Sequence, residues 1–198
     1  PGLCLLLSVA LLVSVTSVAQ SFSWIRARLV LERAERLFLK GEEESALLKY
    51  AEARTLFPLD RGVLIRSTEV ALSAAARAED EKSRGRLLVF ADKGIALLAK
   101  LTSGEDGMIP LLELWHAALQ SDAAGALRAY EQAALLKPAS VVTYRIAFAA
   151  FSLLGDTKRA AEAEQNLLRL LPPDALDPNT PRGRILWQEH PWLSPLAK

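Results

Sequence analysis

The chain of 198 residues carries 24 Lys and Arg against 23 Asp and Glu, and 51% of its residues are hydrophobic. That apolar share excludes a disordered chain, and a net charge of +1 leaves no long-range field to gather nucleic acid. One cysteine rules out an internal disulfide, and two histidines beside it make an all-protein zinc site unexpected.

No charged side chain occurs before Arg26, and Leu3 to Ala19 is almost wholly apolar. About twenty helical residues cover about 30 Å, the thickness of a bilayer's hydrocarbon core. Trp24 followed by Arg26 and Arg28 suits the interface, with an amphipathic ring at headgroup depth and cations beyond it. Residues 1–25 are therefore expected to form a single transmembrane helix, in contact with the lipid bilayer through residues 3–25. A cleaved signal peptide is the rival reading, because Ser17 and Ala19 stand where signal peptidase requires small residues. The absence of Lys or Arg before the apolar run, and its length, favour the retained anchor. Arg26, Arg28, Arg33, Arg36 and Lys40 crowd its C-terminal flank, so the positive-inside rule places the following domain in the cytoplasm. Basic residues upstream of Pro1 would reverse that orientation to the extracytoplasmic side.

Beyond the anchor the sequence repeats. When Gly41 is set on Ser121, Ala46, Tyr50, Ala53 and Pro58 fall on Ala126, Tyr130, Ala133 and Pro138. A third stretch begins at Gly155, with Ala160, Leu167 and Pro172 in three of those positions and Glu164 in place of the tyrosine. Intervals of four and three put Ala46, Tyr50 and Ala53 on one helix face, where alanines let a neighbouring helix approach closely. Gly41 and Gly155 suit the left-handed conformation that ends a first helix, and the prolines block continuation of the second. First helices are thus predicted over Ala27–Lys40, Gly107–Gln120 and Val141–Leu154. Second helices are predicted over Glu43–Phe57, Ala123–Lys137 and Thr157–Leu171.

Between Arg61 and Asp106 one further hairpin keeps the period poorly. Arg61–Ala76 reads as its first helix and Arg86–Leu101 as its second. The charged stretch Arg77–Arg84 between them reads as a solvated surface, either a helix extension or an exposed loop.

The last two copies lie thirty-four residues apart, as Pro138 and Pro172 show. In that period, and in its Ala/Tyr/Ala/Pro offsets, the chain resembles the tetratricopeptide repeat (TPR), a helical hairpin that stacks into a superhelix. The resemblance implies an all-α fold: a transmembrane helix, a TPR-like α-solenoid of about four hairpins over residues 26–174, and an irregular tail over 175–198. The hairpins would occupy residues 27–60, 61–106, 107–140 and 141–174.

The sequence offers no catalytic constellation. Cys4 lies in the apolar span, no nucleophile elbow surrounds any serine, and neither a phosphate-binding loop nor an H-E-x-x-H motif occurs. Glu42, Glu43 and Glu44 are consecutive and fit the positive end of a helix dipole better than an acid–base pair. His116, beside Trp115, reads first as a partly buried packing residue and second as a groove contact. No cofactor and no metal is expected, and the chain is read as a non-enzyme.

In TPR-like stacks the first helices line the concave surface. That resemblance assigns a partner-binding groove to Leu31, Glu35 and Phe38, then Ile65, Glu69 and Leu72. Met108, Leu111 and Trp115 follow, then Val142 and Arg145, with Arg28, Ala118 and Ala149 on the same faces. This lining is largely apolar and suited to a helix or an extended segment. It lacks the Lys/Asn/Arg cluster with which chaperone-binding members of the family hold a C-terminal carboxylate.

Beyond Pro172 the prolines at 173, 178 and 181 break helix formation, and the tail carries Trp187, His190, Trp192 and Leu193. Trp187, Trp192 and Leu193 are expected either to fold back over the last hairpin or to dock into a partner, with folding back the preferred reading. The leading functional expectation is a membrane-anchored scaffold or accessory subunit that binds protein partners, subunits of a membrane complex, and no nucleic acid. Two others stand beside it. One is a TPR-like appendage of a polytopic envelope glycan ligase or polymerase, and the other a periplasmic binding module released by cleavage at Ala19.

Overall fold

The computed structural model describes residues 25–26, 28–103, 106–170, 179 and 184. Helix α1 covers residues 28–39. After it come α2 (Glu43–Leu56), α3 (Arg61–Arg77), α4 (Glu81–Thr102), α5 (Ile109–Leu119), α6 (Ala123–Leu136), α7 (Val141–Leu153) and α8 (Thr157–Leu170). There is no strand among the described residues, so the fold is all-α. No described helix is long and apolar enough to cross a membrane. The expected span at residues 3–25 lies outside the described residues except for Ile25, and so do the cleavage position at Ala19, the turn at Pro172 and the tail residues Trp187, Trp192 and Leu193.

The repeat is visible in the backbone itself. Gly41, Ser121 and Gly155 all take positive φ, at 80°, 60° and 73°. In each case the next amide reaches back to close the turn: Glu42, Asp122 and Asp156 donate to the carbonyls of Leu37, Ala117 and Phe151, each at 2.9 Å. This six-to-one bond satisfies a carbonyl that the ending helix would otherwise leave open. Helices α2 and α6 also end alike. Phe57 and Lys137, each preceding a proline, have φ/ψ of −137°/75° and −139°/69°. A residue before proline is pushed out of the helical region by the pyrrolidine ring, and the helix stops there.

Two compact units divide at Val63 and Leu64. In the first, Ala34 and Phe38 of α1 are buried, as are Ala46, Tyr50 and Ala53 of α2. The small residues permit close helix approach, and Tyr50 fills the space between them. Its hydroxyl donates to Glu35 Oε1 at 2.5 Å, joining α2 to α1.

In the second unit α5 is the central helix, touching α4, α6 and α7. Its residues from Ile109 to Leu119 are buried except Glu113 and His116. A helix apolar around nearly its whole circumference must be enclosed, and each enclosed Leu or Trp contributes on the order of 2 kcal/mol or more. Helix α6 meets α5 through Ala126, Ala129 and Ala133, while α8 meets α7 and buries Ala160, Ala163 and Leu167. Tyr130 of α6 sets its ring edge-on to Phe151 of α7, with centroids 5.4 Å apart.

Two helix starts differ by two residues or more from those the sequence predicts. Helix α4 starts at Glu81 instead of Arg86, because Asp80 Oδ1 accepts from the Ser83 amide at 2.7 Å and caps it. The added residues of this copy therefore lengthen a helix: α4 has 22 residues where α2, α6 and α8 have 14. Helix α5 starts at Ile109 instead of Gly107. Asp106 Oδ1 accepts from the Met108 amide at 3.0 Å, and Pro110 occupies the first turn, where its missing N–H costs nothing.

Candidate protein-interaction surface

Each second helix follows an anchoring residue, Glu42, Asp80, Asp122 or Asp156, and counting back from it aligns the first helices. Fourteen residues back stand Arg28, Arg66, Met108 and Val142; eleven back stand Leu31, Glu69, Leu111 and Arg145; seven back stand Glu35, Ser73, Trp115 and Ala149. Within each first helix these three positions share one face at helical spacing.

Burial separates the rows. Arg28 is exposed, and Arg66, Met108 and Val142 are half-buried. In the next row Leu31 is half-buried, whereas Glu69, Leu111 and Arg145 are buried. Trp115 and Leu72 are wholly enclosed, Phe38 nearly so, and Ala118 and Ala149 are buried with them. Ile65 and Glu35 are half-buried. Phe38, Glu69, Leu72, Leu111, Trp115 and Arg145, all assigned to the expected groove, are buried. The face these residues share is largely enclosed. What stays accessible is its N-terminal edge.

The charged members of the face are accounted for individually. Glu69 pairs with Arg66, one turn earlier, at 3.1 Å. Burial lowers the Arg145 guanidinium to about 10, which leaves it charged at neutral pH. Burial also raises the Glu113 carboxyl above its ordinary value of 4.5. His116 Nε2 lies 3.2 Å from the Leu88 carbonyl, so this ring ties α5 to α4. Arg84 joins the same two helices by donating to the Leu119 carbonyl at the end of α5. Sequence inspection misses Arg84, whose charged surroundings read as solvated, and Arg66, which holds the row position next to the expected Ile65.

In the first unit, Arg28, Leu31, Glu32, Glu35 and Arg36 line a shallow concavity of about 380 Å³. Glu32 lies 3.5 Å from the Arg28 guanidinium and 3.8 Å from that of Arg36, pairs exposed enough to exchange partners at little cost. The site can therefore bind by apolar burial and charge pairing. Trp187, Trp192 and Leu193 of the tail lie outside the described residues. No family model matches the chain, and no curated protein matches it.

Proposed function

We propose that the protein is a membrane-anchored scaffold or accessory subunit, a short TPR-like array that holds protein partners at a bilayer. The observation that carries this reading is the identity of the three turns at Gly41, Ser121 and Gly155, bonded alike and followed by alike helices. Hairpins that share their joints can tile, and tiled hairpins offer a row of equivalent surface positions to one elongated partner. In the second unit Arg66, Met108 and Val142 form that row. The anchor at residues 3–25 would confine the array to two dimensions and raise its effective concentration near membrane partners.

The tail belongs to the docking apparatus. Stacked repeats need a polar outer cap, and α8 already supplies one: Lys158, Glu162, Gln165 and Arg169 are exposed while Ala160, Ala163 and Leu167 face inward. In this reading Trp187 and Trp192 insert into a partner.

The test is co-purification from mild detergent with two variants of the full chain. Met108→Asp with Val142→Asp places acids at helix starts, where the dipole accepts them, and should reduce partner recovery without unfolding. Removal of Arg182–Lys198 should do the same. Full recovery of partners with both variants would refute this reading.

A further inference from the structure

Helix α1 has a second face. Ile25, Leu29, Arg33, Arg36 and Lys40 recur at intervals of four, four, three and four, the spacing of one helical stripe, and within α1 Leu29, Arg33 and Arg36 lie on the side opposite the buried Ala34 and Phe38. All five are exposed, and Ile25 and Leu29 leave 49% and 59% of their surface in the open. An isolated exposed leucine needs no explanation, but an apolar start that continues as a cationic row has a direction. Over residues 25–40, five cations (Arg26, Arg28, Arg33, Arg36 and Lys40) stand against two acids, Glu32 and Glu35, a net of +3. Glu35 is half-buried and takes the Tyr50 hydroxyl, which leaves Glu32, paired with Arg28 and Arg36, as the one acid that residues 25–40 set on the outer face. The uncharged run from Pro1 ends at Ile25, where the stripe begins.

We propose that this stripe lies along an anionic bilayer surface, with Ile25 and Leu29 among the headgroups and Arg33, Arg36 and Lys40 against lipid phosphates. The inference rests on the anchor reading and adds to it an orientation for α1. If α1 continued straight out of the membrane, Lys40 would stand about 22 Å beyond Ile25. That exceeds the screening length of about 8 Å at physiological salt, and its charge would not feel the lipids. Lying flat, the same helix brings three cations within reach of phosphate at once. Amphipathic helices with cationic polar residues and aliphatic neighbours bind membrane surfaces in this way.

The experiment uses the full chain in a Cys4→Ser background, reconstituted into phosphatidylcholine vesicles with or without phosphatidylglycerol. A fluorophore at Leu11→Cys reports the anchor, and one at Leu39→Cys, an exposed position beside the stripe, reports the far end of α1. The expected result is a Leu11 probe shielded from aqueous quencher in both vesicles. The Leu39 probe should be quenched by headgroup-labelled lipid in the anionic vesicles only. Arg36→Glu, at unchanged helix content, should lower that surface residence about fivefold or more, as should high salt for the unaltered chain. A shielded Leu11 probe with Leu39 unquenched, or quenched equally in both vesicles, overturns the inference and leaves the anchor standing. Leu39 quenching by a second labelled copy of the chain instead of by lipid overturns it in favour of self-association. A Leu11 probe open to water removes the anchor reading and this inference with it.

Discussion

The Tyr50 hydroxyl donates to Glu35 Oε1 at 2.5 Å, while Tyr130, the same position one good copy later, uses its ring edge-on against Phe151. One repeat position thus joins neighbouring helices by two different forces. Tyr50→Phe removes a hydrogen bond to an acid and is expected to lower stability by about 1.5–3 kcal/mol. Tyr130→Phe keeps its ring contact and should cost less than about 1 kcal/mol. Urea denaturation of the two variants checks the contrast, and equal losses would contradict it.

The three turns make a second prediction. Ser121 takes φ of 60° with a side chain that the left-handed region disfavours, where Gly41 and Gly155 take it freely. Ser121→Gly is expected to stabilise by about 0.5–1 kcal/mol, and Gly155→Ala to destabilise by about 1 kcal/mol. A Cβ on Gly155 would meet no atom within 4 Å, so the loss would be a backbone effect alone. Thermal midpoints of the two variants should move in opposite directions.

Glu113 makes stability depend on pH. Burial raises its folded-state value above the ordinary 4.5, so the folded chain favours the protonated acid. That contribution is full below the unfolded-state value and is lost as pH rises through the raised one. Glu113→Gln should therefore stabilise at neutral pH, by a few tenths to about 1 kcal/mol given its partial exposure to screening solvent, and by nothing in acid. Asp156 runs the other way: the amide and guanidinium of Arg159 hold its carboxyl down, so its contribution is present at neutral pH and lost in acid. Denaturant midpoints at neutral and acidic pH separate the two residues. An equal gain for Glu113→Gln at both would count against the assignment.

Trp115 and Met108 share a face and differ in burial, and their truncation should show it. Trp115→Ala opens a void in the enclosed centre of the second unit and is expected to cost about 3–5 kcal/mol. Met108→Ala, at the half-buried edge, should cost less than about 1 kcal/mol. Calorimetry on the pair distinguishes core from edge.

How much of this is legible in the sequence depends on the residue. The positions of α2 and α6 follow from the Ala/Tyr/Ala/Pro offsets, because small residues at helical spacing and a terminating proline act locally. The start of α4 is lost among charges: apolar periodicity begins only near Leu88, and the one early signal is Asp80 three residues before Ser83. The fate of Glu69, Leu111 and Arg145 is also hidden. A sequence shows which face these residues share, but not whether that face meets solvent or another helix. For Trp115 the difference is that between an anchor for a partner and a centre of the core.

The joints at Ser121 and Gly155, thirty-four residues apart, carry a consequence for how such a chain can change. A segment running from one joint to the next begins and ends with interchangeable bonds. Duplicating it in frame would present each new boundary with the neighbours that the old one already fits. The number of hairpins is then free to drift by whole copies under selection for reach, with no joint redesigned, while a gain of a few residues must be absorbed inside a helix, as α4 has done.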